Sequence, residues 1–193
     1  MPLTAAQQAA FDLLVAEPGR VTWASPPSPG GWVASTRGGE GVGADPASMR
    51  FVKSREFRDC LLHWVDLFTR GGAARSVVMR TWQEPDGPWA AEIIGGGGGG
   101  EPRRSRPWVN FAAAWNARSF AAGGHVIRPG AEAACLVRLT FADGTTLEDT
   151  ADDNVVLFFA SPGVSLPASV EILDTRGDKL AEYAEFTEFA DLG

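Results

Sequence analysis

The chain has 193 residues, 45% of them hydrophobic and 21% charged, and a formal net charge of −7. That much apolar side chain excludes a wholly disordered protein. The acidic balance disfavours a broad nucleic-acid-binding face, which needs clustered Lys and Arg to neutralise phosphate. The 23 glycines and 13 prolines argue against a helical bundle and for a chain rich in turns.

The first predicted element is a helix over 4–17. Thr4 and Gln7 have the spacing of a capping box, in which hydroxyl and amide satisfy two early backbone N–H groups. Ala10, Phe11, Leu14 and Val15 follow at helical spacing, and Pro18-Gly19 ends the pattern. Residues 18–50 are rich in Pro, Gly and Ser. Trp23 and Trp32 interrupt them, which predicts short extended pieces laid on the body rather than a free linker. A second helix is predicted over 54–70, where Phe57, Leu61, Trp64, Val65 and Phe68 recur at helical spacing before Gly71-Gly72. A strand over 61–68 is the competing reading.

From residue 76 the pattern becomes that of strands. Residues 76–82 and 89–94 form a predicted hairpin about Glu84-Pro85-Asp86-Gly87, whose Pro and Gly suit a tight turn. Six glycines at 95–100 precede Glu101-Pro102-Arg103-Arg104-Ser105-Arg106-Pro107, and 95–107 is expected to be a mobile arm. A strand restarts at Trp108-Val109-Asn110-Phe111, and Asn116-Ala117-Arg118 looks like a turn before an extended 120–127. Cys135, Val137, Leu139 and Phe141 then alternate with Leu136, Arg138 and Thr140, the period of a half-buried strand. Asp143-Gly144 marks a hairpin turn, 155–159 a buried strand, and 170–173 pairs with 179–183 across 174–178.

Short strands at this spacing, each pair parted by a turn signal, suggest a β-sandwich. On 136–141, Asp143-Gly144, 155–159, 170–173 and 180–183 the chain resembles an immunoglobulin-like or fibronectin-type module. The Cys…Trp…Cys spacing of immunoglobulin domains is absent. The resemblance implies two packed antiparallel sheets and no particular function. The expected class is therefore mainly β (α+β), with N-terminal helices packed on an antiparallel β-sandwich-like body. A helical, loop-rich region is expected over 1–72 and the body over 73–193.

The candidate sites are modest. The glycine run satisfies Gly-x-Gly-x-x-Gly trivially, but no helix follows to receive a phosphate and no Gly-Lys-Ser/Thr appears. Arg103, Arg104 and Arg106 beside Trp108 form the one dense basic cluster, suited to an acidic partner surface. All seven tryptophans precede residue 116, and Trp82, Trp89 and Trp108 join the arginines as the expected partner-binding set. Cys60 and His63, three apart, would share a face of the second helix, where a thiolate–imidazole pair could act as nucleophile. A core thiol beside a peripheral histidine is the simpler reading. Glu148, Asp149, Asp152, Asp153 and Asn154 crowd one loop but lack the spacing of a calcium loop. A zinc site would need both histidines and both cysteines, so no metal and no cofactor are expected.

These features predict a non-catalytic module that presents loops and edge strands to another protein or to a second copy of itself. A carbohydrate- or small-molecule-binding module and an enzyme built on Cys60 and His63 are the alternatives. The start of the chain lacks the basic and long apolar regions of a secretory signal, and no run approaches the ~18 residues of a membrane span. The cytoplasm is the expected compartment, with Cys60 and Cys135 reduced.

Overall fold

Strands dominate the computed structural model, which describes residues 2–16, 42–97, 106–115, 119–127, 134–161 and 166–183. Among these, eleven strands form three antiparallel sheets and one segment is α-helical, as the expected mainly-β class requires. By its contacts the chain divides into two units, Met1–Gly98 and Gly99–Gly193.

In the first unit, helix α1 (Ala5–Val15) begins at Thr4 with the capping box that the sequence predicts. The Thr4 hydroxyl accepts from the Gln7 backbone N–H at 3.2 Å, and the Gln7 side chain accepts from the Thr4 N–H at 3.1 Å. An isolated helix this short is marginal in water, so its buried Ala10 and Leu14 must supply the stability. They pack with Val65, Leu67, Val77 and Met79 on a four-stranded meander. Its strands are β1 (Arg50–Phe57), β2 (Cys60–Phe68), β3 (Ala74–Gln83) and β4 (Trp89–Gly97), in the order β1-β2-β3-β4.

This meander replaces the helix expected over 54–70. The segment is a hairpin, β1 and β2 joined at Arg58-Asp59, so one helix rather than two packs at the N-terminal end of the described chain. The misreading has a physical origin. Val65 and Leu67 face α1, yet Leu62 and Trp64 on the opposite face are buried as well. A strand buried on both faces loses its polar alternation and becomes a continuous apolar run, which periodicity alone cannot distinguish from a helix. Unbroken pairing with β3 from Leu61↔Thr81 to Phe68↔Ala74 fixes the strand. A boundary at 72/73 would part these two paired strands.

The hairpin expected about residues 84–87 is present as β3 and β4, but β4 runs further than the sequence suggests. Gly95, Gly96 and Gly97 lie opposite Val78, Val77 and Ser76. The first half of the glycine run is therefore strand and not arm. The β3 ladder supplies the hydrogen bonds that offset its backbone entropy. The contact is also close: a Cβ at Gly96 would stand 2.8 Å from the Ser76 carbonyl oxygen.

The second unit contains β5 (Trp108–Trp115), β6 (Phe120–Ile127), β7 (Ala134–Phe141), β8 (Thr146–Thr150), β9 (Val155–Ala160), β10 (Pro167–Asp174) and β11 (Lys179–Tyr183). One sheet has the order β5-β6-β9, the other β11-β10-β7-β8. Both contribute to a single core. Val109, Ala122, Val126 and Phe158 come from the first, and Val137, Leu139, Val170 and Ile172 from the second. Phe120 and Phe141 meet edge to face between the sheets, their centroids 5.4 Å apart. The predicted alternation over β7 and the turn at Asp143-Gly144 are both present. Gly144 takes φ +83°, and the Asp143 carboxylate accepts from the Thr145 N–H at 2.9 Å.

Candidate functional site

Cys60 and His63 cannot form a dyad. They are three apart on a strand, so their side chains leave opposite faces of the sheet. His63 lies on the face toward α1 and is fully buried. Its Nδ1 is 2.8 Å from Ser54 Oγ on β1, its Nε2 is 2.9 Å from Thr81 Oγ1 on β3, and the Phe51 ring stands edge-on at 5.6 Å. Burial pushes its pKa down to about 4, so the ring is neutral at pH 7. One ring nitrogen then donates and the other accepts, and the two hydroxyls rotate to match. The arrangement ties three strands together. It lacks the carboxylate that would stabilise an imidazolium beside a serine nucleophile.

Cys60 is a buried free thiol on the other face. Burial pushes its pKa up to about 11, against the opposing charge of Arg80. Such a thiol is protonated and inert at neutral pH. Near it, Arg80 pairs with Glu92 at 2.6 Å (Nε to Oε1), and the Arg80 guanidinium lies 5.1 Å from the Trp82 ring centroid. Burial raises the Glu92 carboxyl and Arg80 opposes that rise. Cys135 is a residue of β7, and its side chain lies outside the described structure.

The expected partner-binding residues that the structure describes are divided between the two units. Trp82 and Trp89 belong to the first unit and lie on opposite faces of the β3–β4 hairpin, because Trp82 pairs with Ala90 and Trp89 with Gln83. Both are half-buried, and the Trp82 Nε1–H donates to Glu84 at 2.8 Å. Trp108 sits in the core of the second unit, 3% exposed, so its indole serves packing rather than contact. Arg106 is exposed, with its guanidinium over the Tyr183 ring at 4.7 Å, and the Tyr183 hydroxyl donates to the Pro107 carbonyl at 2.6 Å. Arg103 and Arg104 lie outside the described residues, as do Trp23 and Trp32.

The second unit differs sharply from edge to edge. Across β8, β7, β10 and β11 runs a ladder of alternating charge. Arg138 contacts Glu148 at 2.6 Å and Glu171 at 3.2 Å, and Lys179 contacts Glu171 at 2.6 Å and Glu182 at 2.7 Å. The hydrogen bonds that Arg138 donates to the Glu148 and Glu171 carboxylates raise its pKa, and the one donated by Lys179 lowers that of Glu171. This face satisfies its own charges. Within the acidic loop, Asp149 turns inward and its carboxylate accepts from the Leu157 N–H at 2.7 Å, so β8 closes the outer edge of β9. Among the described residues no three His, Cys, Asp or Glu side chains are grouped as a metal site.

Edge strand β5 has none of these charges. Among the described strands it pairs with β6 alone. Its sequence, WVNFAAAW, contains no charged residue, and it ends in Trp115, which is 47% exposed. Natural sheets blunt their edges with charge, proline or a covering segment. Trp115 is the tryptophan whose exposure the sequence did not single out. The available signal was the charge-free run of eight residues that ends on it.

No family model, curated protein or solved structure matches this chain. No helix among the described residues is long and apolar enough to cross a membrane.

Proposed function

We propose that this protein is a non-catalytic binding or assembly module whose second unit, immunoglobulin-like or fibronectin-like in the path of its seven strands, adds a partner protein's strand at β5. The strand order supports the fold reading. Relative to a seven-stranded immunoglobulin constant domain, the fourth strand lies beside the third instead of the fifth, and the other assignments agree. The observation that carries the function is the uncharged strand β5, which pairs with β6 alone among the described strands and ends in the exposed Trp115. An exposed ladder edge offers main-chain hydrogen bonds to an extended segment, and an exposed aromatic at its end supplies an anchor. The opposite faces taken by Cys60 and His63 favour this reading over the thiol–imidazole alternative. The cytoplasm is the proposed compartment, on the strength of the free buried thiol of Cys60.

The test compares the full chain with its Asn110→Lys/Trp115→Lys variant as bait in extracts of the source cells. Both positions are exposed, so the fold is expected to persist. A partner retained by the wild type and lost by the variant supports the reading. Identical captured sets with both baits refute it.

A further inference from the structure

We propose that β1 is an acid-released strand: protonation of His63 detaches it from β2 and frees the backbone groups of 60–66 that pair with it. This is independent of the reading of β5. The two hydroxyls that hold the fully buried His63 ring differ in their surroundings. Thr81, on β3, is itself fully buried, whereas Ser54, on β1, is exposed. The way from the ring to solvent therefore leads past the Ser54 hydroxyl. No residue of β1 is buried, against six of nine in β2, so β1 is the strand with less apolar cover to lose. Its register with β2 also shifts between Phe51 and Lys53, beside Ser54, and such an irregularity interrupts the ladder locally.

A proton on His63 puts a buried positive charge between two hydroxyls, which can accept its hydrogen bonds but cannot neutralise it. The charged groups around the ring do not offset this. On the same face of β1, Glu56 is exposed, and the one charged residue of α1, Asp12, is exposed as well. Asp45 and Arg75 lie at the far end of β2, beside Phe68 and Leu67. Asp66 and the Arg80–Glu92 pair belong to the opposite face, with Cys60 and the Arg50, Lys53 and Arg55 positions of β1.

The size of the effect follows from linkage. Burial holds the ring near 4, whereas a solvated imidazole titrates near 6.5. An open form with a solvated His63 binds a proton where the closed form does not, so opening is favoured as pH falls. Its equilibrium constant rises about 20-fold from about pH 7 to about pH 5 and at most about 300-fold in stronger acid. Lys53, Arg55 and Phe57 have interactions of their own. Those set how far β1 opens at neutral pH, and the change with pH belongs to His63.

Amide exchange of the full chain tests this at about pH 7 and about pH 5, in water and in urea below the unfolding transition, with each rate divided by its intrinsic chemical rate. His63→Gln is measured beside it, because the glutamine amide can still donate to one hydroxyl and accept from the other. Global unfolding also exposes His63, so urea is what separates the two events: the slope grows with the surface exposed. In the wild type the opening constants of β1 amides are expected to rise about 20-fold at the lower pH, to exceed those of β4 at least about tenfold there, and to vary little with urea. In His63→Gln the rise is expected to be absent. Three results overturn the proposal: β1 opening constants that do not change with pH, β1 amides with the same opening constant and urea slope as β4, or an equal rise in a folded His63→Gln. If the variant fails to fold, the wild-type comparison of β1 with β4 decides alone.

Discussion

His63 shows how a buried polar residue can cost stability under acid conditions. In the unfolded chain an imidazole titrates near 6.5, whereas in the fold it titrates near 4. Between these values the unfolded chain binds a proton that the folded chain does not. The contribution is therefore complete above pH 6.5 and is lost as pH falls toward 4, by about 3 kcal/mol. Replacing His63 by Gln should remove most of this dependence. The measurement is the urea unfolding free energy of both proteins at about pH 7 and about pH 4, and equal slopes would contradict the assignment. Comparing wild type with variant cancels the opposite trend of Glu92, whose raised pKa makes its contribution fall as pH rises. That Cys60 and His63 point apart was not legible in the sequence. Their spacing is equally a shared helical face or two faces of a strand, and only the secondary structure distinguishes them.

At the scale of the element, the packing of β5 on β6 depends on an absent side chain. A Cβ at Gly124 would lie 2.4 Å from Val109 Cγ1 and 2.8 Å from Phe111 Cδ1. Those two side chains close over the core face of β6, with Phe111 directly opposite Gly124. Gly124→Ala is expected to destabilise the protein by about 1–3 kcal/mol through overpacking, despite the better strand propensity of alanine. Urea denaturation measures it, and a stabilised variant would show that β5 can lift away at no cost. The strand over 120–127 was legible as an extended segment interrupted by glycine. The glycine's role was not, because the atoms that exclude a Cβ belong to another strand. Likewise β2 misled through its burial on two faces, whereas β7, buried on one face, was readable from its alternation alone.

On the scale of the whole molecule, each unit has a core built from its own elements: Leu14, Val65 and Met79 in the first, Phe141, Phe158 and Ile172 in the second. Residues 99–193 expressed alone are therefore expected to fold cooperatively, with a β-type far-UV spectrum, dispersed amide resonances and a single urea transition. An unfolded spectrum would refute that independence. The sequence by itself determined the local features: the capping box of α1, the turns at 84–87, 143–144 and 174–178, the strands of the C-terminal third and the mainly-β class. These are set by side chains interacting with their own neighbours in the chain, through caps, turn dihedrals and period. Only the tertiary structure decided that 54–70 is a hairpin, that β4 continues into the glycines, that Trp108 is core while Trp115 is exposed, and that Asp149 closes one sheet edge while β5 pairs with β6 alone among the described strands. Each of these depends on which distant strand supplies a hydrogen bond or covers a face, and pairing between distant strands leaves no mark in local sequence.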